Sequence, residues 1–428
     1  MNAYFCTIIY CLLHLVLFAF YRLYCSKKNN ATTLILVYFL LTSFFSILYF
    51  SASNGIYRDY SNITLLPYFY LILCFLITIY PIYNYDKSSP TLSLSFNENK
   101  IIYVVSIFIG ICTLLPFLET LIQLPNALAN SNQLNRIYEE RLAGESNEYL
   151  SFFGRKFFYF IWLLNNLVPI FIFINLMLPS KNKKIILFLC LALITIWLHA
   201  MILGGRSKLV QNALYMVIVY FIFKRFLHHD IIVKVNKYGF LIFSVAILGV
   251  VAVTISRFNN MDSTNMNSIW EWIGLYAGEG SLNFNSSLWY VRDRSTEGYS
   301  TFPLLLSWIS GKDFGVADSW ALSSKLGISG NIFYTYVGSI FQDFNVYGTI
   351  IFILTFSLLV QKLTKCIRNI SLAQLIVLCL WAKILIIGPI FYTYGTVDDQ
   401  KNLLFTILFS LYLHSCNKRV ICFSLKTK

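Results

Sequence analysis

Met201 to Val217, MILGGRSKLVQNALYMV, sets Gly204, Gly205, Arg206, Ser207 and Lys208 between two long apolar runs. Arginine stays charged, and its planar fork matches two oxygens of a phosphate. The two glycines allow a sharp turn and leave backbone amides free at the head of the next helix, where the helix dipole favours an anion. Together these residues suit a phosphate or pyrophosphate at headgroup level. The competing reading is an arginine that snorkels to the headgroups and fixes a helix end.

A second arginine, Arg257, ends another apolar run in VTISRFNNMD. Arg292 and Arg294 in YVRDRSTEG, and Arg136 and Arg141 in a shorter polar stretch, are further anion contacts or ordinary surface charges. His199 lies seven residues before Arg206, about two helical turns and so on the same face; it is a general base or a hydrogen-bonded core histidine. Glu279, Asp293, Glu297, Asp313, Asp318 and Asp343 are carboxylates able to take a proton from a hydroxyl. Trp289 and its neighbours offer aromatic faces for sugar stacking or for an interfacial belt. Lys383 falls inside an apolar run, where a charge faces the bundle interior with a partner, for which Glu119 is a candidate.

The elements that must carry these groups follow from composition. Of 428 residues, 57% are hydrophobic and 12% charged. The apolar residues come in blocks of about 20, the length needed to cross roughly 30 Å of hydrocarbon, where only helices satisfy their own backbone. The expected fold is all-α, a polytopic integral membrane protein of about eleven transmembrane helices with one large external loop. The expected spans are about 4–24, 31–53, 63–83, 101–123, 157–178, 184–203, 209–227, 238–257, 346–363, 372–394 and 402–418.

Lysines and arginines collect in alternate loops, as in Lys27-Lys28, Lys181 to Lys184, Lys224-Arg225 and Lys362 to Arg368. The positive-inside rule makes that side cytoplasmic and the N-terminus external. The formal net charge of +14 is then orientation signal and lipid contact, not a nucleic-acid surface. Arg206 and Arg257 both emerge on the external side. So do two longer stretches, about 124–156 and about 258–345, and loops of such length are seldom idle. The larger is expected to form an external cap with interfacial pieces such as NSIWEWIGLYAGEG and FPLLLSWIS. It holds Trp270, Trp272, Trp289, Trp308 and Trp320 of the chain's eight tryptophans. The whole chain, 1–428, reads as one membrane domain without duplicated halves. The ten cysteines show no metal-ligand spacing, so neither a metal nor another cofactor is expected.

LGGRSKLV between two spans, SRFNN closing the next outward helix, the large external loop and YTYVGSIFQDFNVYGTIIF resemble the O-antigen polymerase (Wzy) family. The resemblance implies an enzyme of the bacterial inner membrane, its N-terminus periplasmic and its C-terminus cytoplasmic. It would transfer a glycan from undecaprenyl pyrophosphate to a lipid-linked repeat-unit acceptor, alongside a flippase and a chain-length regulator. Arg206 and Arg257 would stabilise charge growing on the departing pyrophosphate, an effect of about 3–4 kcal/mol for comparable donors. The rivals are an O-antigen ligase, a lipid-linked oligosaccharide flippase or other transporter, and a membrane acyltransferase. The 258–345 loop contains no histidine, whereas the ligase family is expected to carry a catalytic one there.

Overall fold

The structure, a computed structural model, describes residues 2–53, 58–129, 149–178, 182–203, 207–239, 244, 269–291, 294–312, 314–330, 332–365 and 369–416. Among the described residues, seven helices are long and apolar enough to cross a membrane, or up to eight if one bent pair is a single span. The chain is thus an all-α polytopic membrane protein by the length and composition of its helices. It divides into two compact units, one of 1–89, 263–367 and 378–400, the other of 90–262, 368–377 and 401–428.

In the first unit, α1 (Ala3–Phe20) is capped by Asn2 and runs on as a π-helical turn, Tyr21–Cys25. Its buried stripe is Ala3, Cys6, Thr7, Tyr10 and His14, while Phe5, Leu12, Leu15 and Val16 point outward. One face for protein and one for lipid is the pattern of a peripheral span. α2 (Ala31–Ser53) packs against α1, and α3 (Leu65–Ser88) follows.

Pro81 lies inside α3 and cannot donate to the Ile77 carbonyl one turn earlier. The Ser357 hydroxyl donates to that carbonyl instead, at 2.6 Å. In a membrane the freed carbonyl has no water to turn to. Ser357→Ala is expected to lower stability by about 1 kcal/mol. In a Pro81→Ala background the same change should cost little, because residue 81 regains its own N–H. A double-mutant cycle on the thermal midpoint measures this coupling.

Ser357 belongs to α13 (Thr335–Leu363), which begins well before the expected span at 346–363. Asn345 breaks it with φ 56° and ψ −163°. The sequence span therefore matches only the part after the break. Upstream lie α10 (Ile269–Ser286), α11 (Pro303–Ser310) and α12 (Val316–Lys325).

α10 departs from the expected interfacial piece, for it packs lengthwise on α2. The Ser46 hydroxyl donates to the Gly278 carbonyl at 2.9 Å, and a Cβ on Gly278 would lie 2.6 Å from Phe45 and Ser46 backbone atoms. Small residues on one face let the two backbones approach.

In the second unit, α4 (Phe96–Ala129) packs on α7 (Lys183–Ile202) and on α5 (Phe152–Leu163). α5 and α6 (Leu167–Met177) occupy the expected span 157–178 but are bent by 69°. Asn165 and Asn166 sit at the bend. Asn165 donates from Nδ2 to Asn212 Oδ1 at 2.9 Å, and the Tyr215 hydroxyl donates to the Asn166 carbonyl at 3.0 Å. Both bonds reach α8 (Ser207–Phe223), and the second satisfies a backbone carbonyl at the break. Residues 229–239 form α9. A short parallel pair joins β1 (Thr91–Ser93) to β2 (Asn369–Ser371).

The expected spans 372–394 and 402–418 correspond to α14 (Leu372–Ile387), of 16 residues, and α15 (Val397–Cys416), whose first turn carries Asp398 and Asp399. Nearly all of the expected span 238–257 lies outside the described residues.

Candidate functional site

A polar cluster lies where the segment joining α2 to α3 meets the last turns of α10. Two asparagines of α10 hold that segment. Asn285 accepts from the Thr64 amide at 3.0 Å and donates to the Thr64 carbonyl at 2.7 Å. Asn283 accepts from the Tyr60 hydroxyl at 3.3 Å and donates to the Phe333 carbonyl at 3.0 Å. Tyr60 is fully buried and stacks on Phe50. The Tyr290 hydroxyl donates to the Asn62 carbonyl at 2.6 Å. Each amide spends its donor and its acceptor on backbone or a phenol, so the segment is fixed at several points.

Glu279 is four residues before Asn283 and so one turn along the same face. Its side chain is 2% exposed, and its Oε1 lies 3.6 Å from Nε of Arg58, whose side chain is 37% exposed. That distance is an ion pair, not a hydrogen bond, and Oε1 accepts no hydrogen bond in the structure. A buried carboxylate with an unfilled acceptor is costly and calls for a reason.

α10 is not among the seven candidate spans. Burial pushes the Glu279 carboxyl above the usual carboxylate range, while Asn283 and Arg58 hold it partly down. Burial also pushes the neighbouring Tyr334 phenol up to about 12, against the pull of a bond with Ser287 and the charge of Arg58. The arrangement is therefore a carboxyl group with heightened proton affinity, reached from outside through one arginine.

Arg58 was not among the residues the sequence pointed to. Its signal was topological: NGIYRDY joins two spans on the side that the positive-inside rule would make external and poor in arginine.

The second unit holds a separate cluster. Ser151 caps α5 by accepting from the Gly154 amide at 3.1 Å. Its own hydroxyl donates to Glu119 at 2.5 Å and its amide donates to the same carboxylate at 3.2 Å. The carboxylate thus lies at the positive end of a helix dipole. His199, one turn from the end of α7, pairs through Nδ1 with the Tyr149 hydroxyl, and its ring lies 3.9 Å from that of Phe158. Tyr149 was likewise missed. Nothing in its local sequence marks it as the partner of a histidine 50 residues away.

Several expected site residues fall outside the described residues: Gly204, Gly205, Arg206, Arg257, Arg136, Arg141, Arg292 and Asp293. Ser207 opens α8 and is exposed, with Lys208 half-buried behind it. Arg294 is exposed and its Nη1 donates to the Lys325 carbonyl at 3.4 Å. Trp289 is 4% exposed, packed among Tyr70, Phe284 and Phe341, so its ring is committed to the core.

The other carboxylates have structural duties. Asp318 Oδ2 accepts from the Gly315 amide at 2.8 Å and caps α12. Asp343 Oδ1 accepts from the Thr296 hydroxyl, from the Gly298 amide at 2.9 Å and from the Ser300 amide at 3.3 Å. It thereby pins a turn in which Glu297 and Gly298 take positive φ. Glu297 is exposed, and Asp313 lies outside the described residues. Lys383 is buried over the ring of Tyr394, 5.7 Å from its centre.

Of the carboxylates proposed as a general base, Glu279 thus combines burial, a nearby cation and an unfilled oxygen. Comparison of the chain with known protein families, with curated proteins and with solved structures returns no match.

Proposed function

We infer that this chain is a membrane glycosyltransferase that joins oligosaccharide repeat units carried on undecaprenyl pyrophosphate, at the external face of a bacterial inner membrane. The observation that carries the reading is Glu279: a buried carboxyl group with an unfilled oxygen, 3.6 Å from a half-exposed arginine. Such a group suits the proton transfer that the reaction demands. The motifs LGGRSKLV and SRFNN add the arginines Arg206 and Arg257, contacts for a carrier pyrophosphate.

In this reading the acceptor sugar's hydroxyl gives its proton to Glu279. Its oxygen then bonds to the anomeric carbon of the donor glycan. The bond from that carbon to the donor's pyrophosphate breaks, and the pyrophosphate leaves with the electron pair, still attached to its lipid. The energy lies in the donor, so no nucleotide enters the scheme.

The test is a gel of surface glycan from cells lacking the chain, complemented with the wild type or with Arg206→Ala at matched membrane levels. The wild type is expected to restore a ladder, and Arg206→Ala to leave core plus one repeat unit. Loss of even that single unit in the deletion strain would favour a ligase or a flippase instead.

A further inference from the structure

The Arg58–Glu279 pair carries an inference beyond the base itself. The two partners are unequally placed, with the carboxylate sealed inside and the guanidinium 37% exposed. Their contact, at 3.6 Å, lacks a hydrogen bond, so the five donors of Arg58 are poorly spent on Glu279. Glu279 is carried by α10, which packs against α2. Arg58 lies on a connecting segment, next to the exposed Asp59. The member of the pair that reaches solvent is thus the cation. An incoming phosphate oxygen pair would fit its fork better than the distant Glu279 oxygen does.

We propose that Arg58 is an exchangeable counter-ion, a phosphate-binding residue that the donor's pyrophosphate draws away from Glu279, which releases the carboxylate to act as base at the moment donor binds. Choosing the pyrophosphate rests on the glycosyl-transfer reading above. Among the described residues, the charged and titratable groups beside Glu279 are Arg58 from the connecting segment and Tyr334 from the approach to α13. Arg58 is the one cation among them. Removing it leaves a carboxylate that binds a proton more readily, because an opposite charge no longer favours the ionised form. Substrate binding and base strength are then coupled through one side chain, and an empty site keeps its base neutralised.

The experiment uses the full chain in lipid nanodiscs and inorganic pyrophosphate as the probe, by titration calorimetry in buffers of different ionisation heat. With no acceptor present, wild type is expected to bind with uptake of protons, because the released Glu279 carboxylate takes from water the proton that it would otherwise take from the acceptor hydroxyl. Arg58→Gln should weaken binding about tenfold or more, the loss of a charge-assisted bidentate contact, while Arg58→Lys recovers part of it. Glu279→Gln should bind about threefold tighter or better, as a like charge is removed, and without the proton uptake. Nanodiscs with and without anionic lipid, and a competing polyprenyl pyrophosphate, distinguish a headgroup site from a pyrophosphate site. Unchanged binding in Arg58→Gln, or weaker binding in a Glu279→Gln protein with wild-type thermal midpoint, overturns the proposal. A protein that binds pyrophosphate through Arg58 yet transfers no sugar refutes the glycosyl-transfer reading alone. One that transfers sugar with Arg58→Gln binding unimpaired refutes the counter-ion alone.

Discussion

Glu279→Gln is expected to slow glycan transfer by about 10²–10⁴-fold, the usual contribution of a positioned general base, while leaving the protein folded. Glutamine matches glutamate in shape, so its amide still fills the space beside Asn283. It removes a charge that burial disfavours, and Arg58, already 37% exposed, can take water in its place. The loss should therefore appear in turnover, not in abundance. The pH profile gives an independent sign. A base works only when ionised, and burial raises the carboxyl of Glu279, so the acid limb of the wild-type rate should lie above the ordinary carboxylate range. The residual activity of Glu279→Gln should lack that limb. Equal pH profiles for the two proteins would remove Glu279 from the role of base.

Gly278→Val should strongly disrupt the first unit. The first side-chain carbon alone would come within 2.6 Å of the Phe45 carbonyl and the Ser46 amide. These are backbone atoms of a helix and cannot swing aside as a side chain would. Valine adds two methyls to that conflict. The α2–α10 packing must then open, at a cost of about 3 kcal/mol or more given the usual penalties for overpacking. The measurement is the thermal midpoint and membrane yield, with Gly239→Ala as control. Among the described residues a methyl group at Gly239 would meet no atom within 4 Å, and alanine there should be neutral or mildly stabilising. A wild-type midpoint for Gly278→Val would show that α10 is not bound to α2 through this contact.

The spans that face lipid were legible in the sequence. α2 and α7 fall within a residue or two of their expected limits. Their apolar blocks have the length of the hydrocarbon layer, and that constraint needs no tertiary information. α10 was not legible as a packed helix because its neighbours are other helices. It keeps Glu271, Glu279, Asn283 and Asn285, which a lipid-facing span could not, and so reads as a loop. The overlooked sign was the spacing of Gly274, Gly278 and Ser281 along one face. The bend between α5 and α6 was hidden for a related reason. An apolar window averages over Asn165 and Asn166, whose bonds to Asn212 and Tyr215 become visible only in three dimensions. The candidate site was half legible. Glu279 stood among six carboxylates of one long stretch, and the arginine that separates it from the equally buried Asp343 is brought to it only by the fold. Arg58 lies more than 200 residues from it in sequence, and one chain contains no record of such a pairing.

The most direct measurement is extension of a lipid-linked repeat unit by the purified chain in nanodiscs, followed as product length over time for wild type and Glu279→Gln. The account predicts a growing ladder from the wild type and a single unconverted unit from the variant. A wild-type protein that carries the substrate across the bilayer without forming a bond, or a variant that polymerises at the wild-type rate, would contradict it.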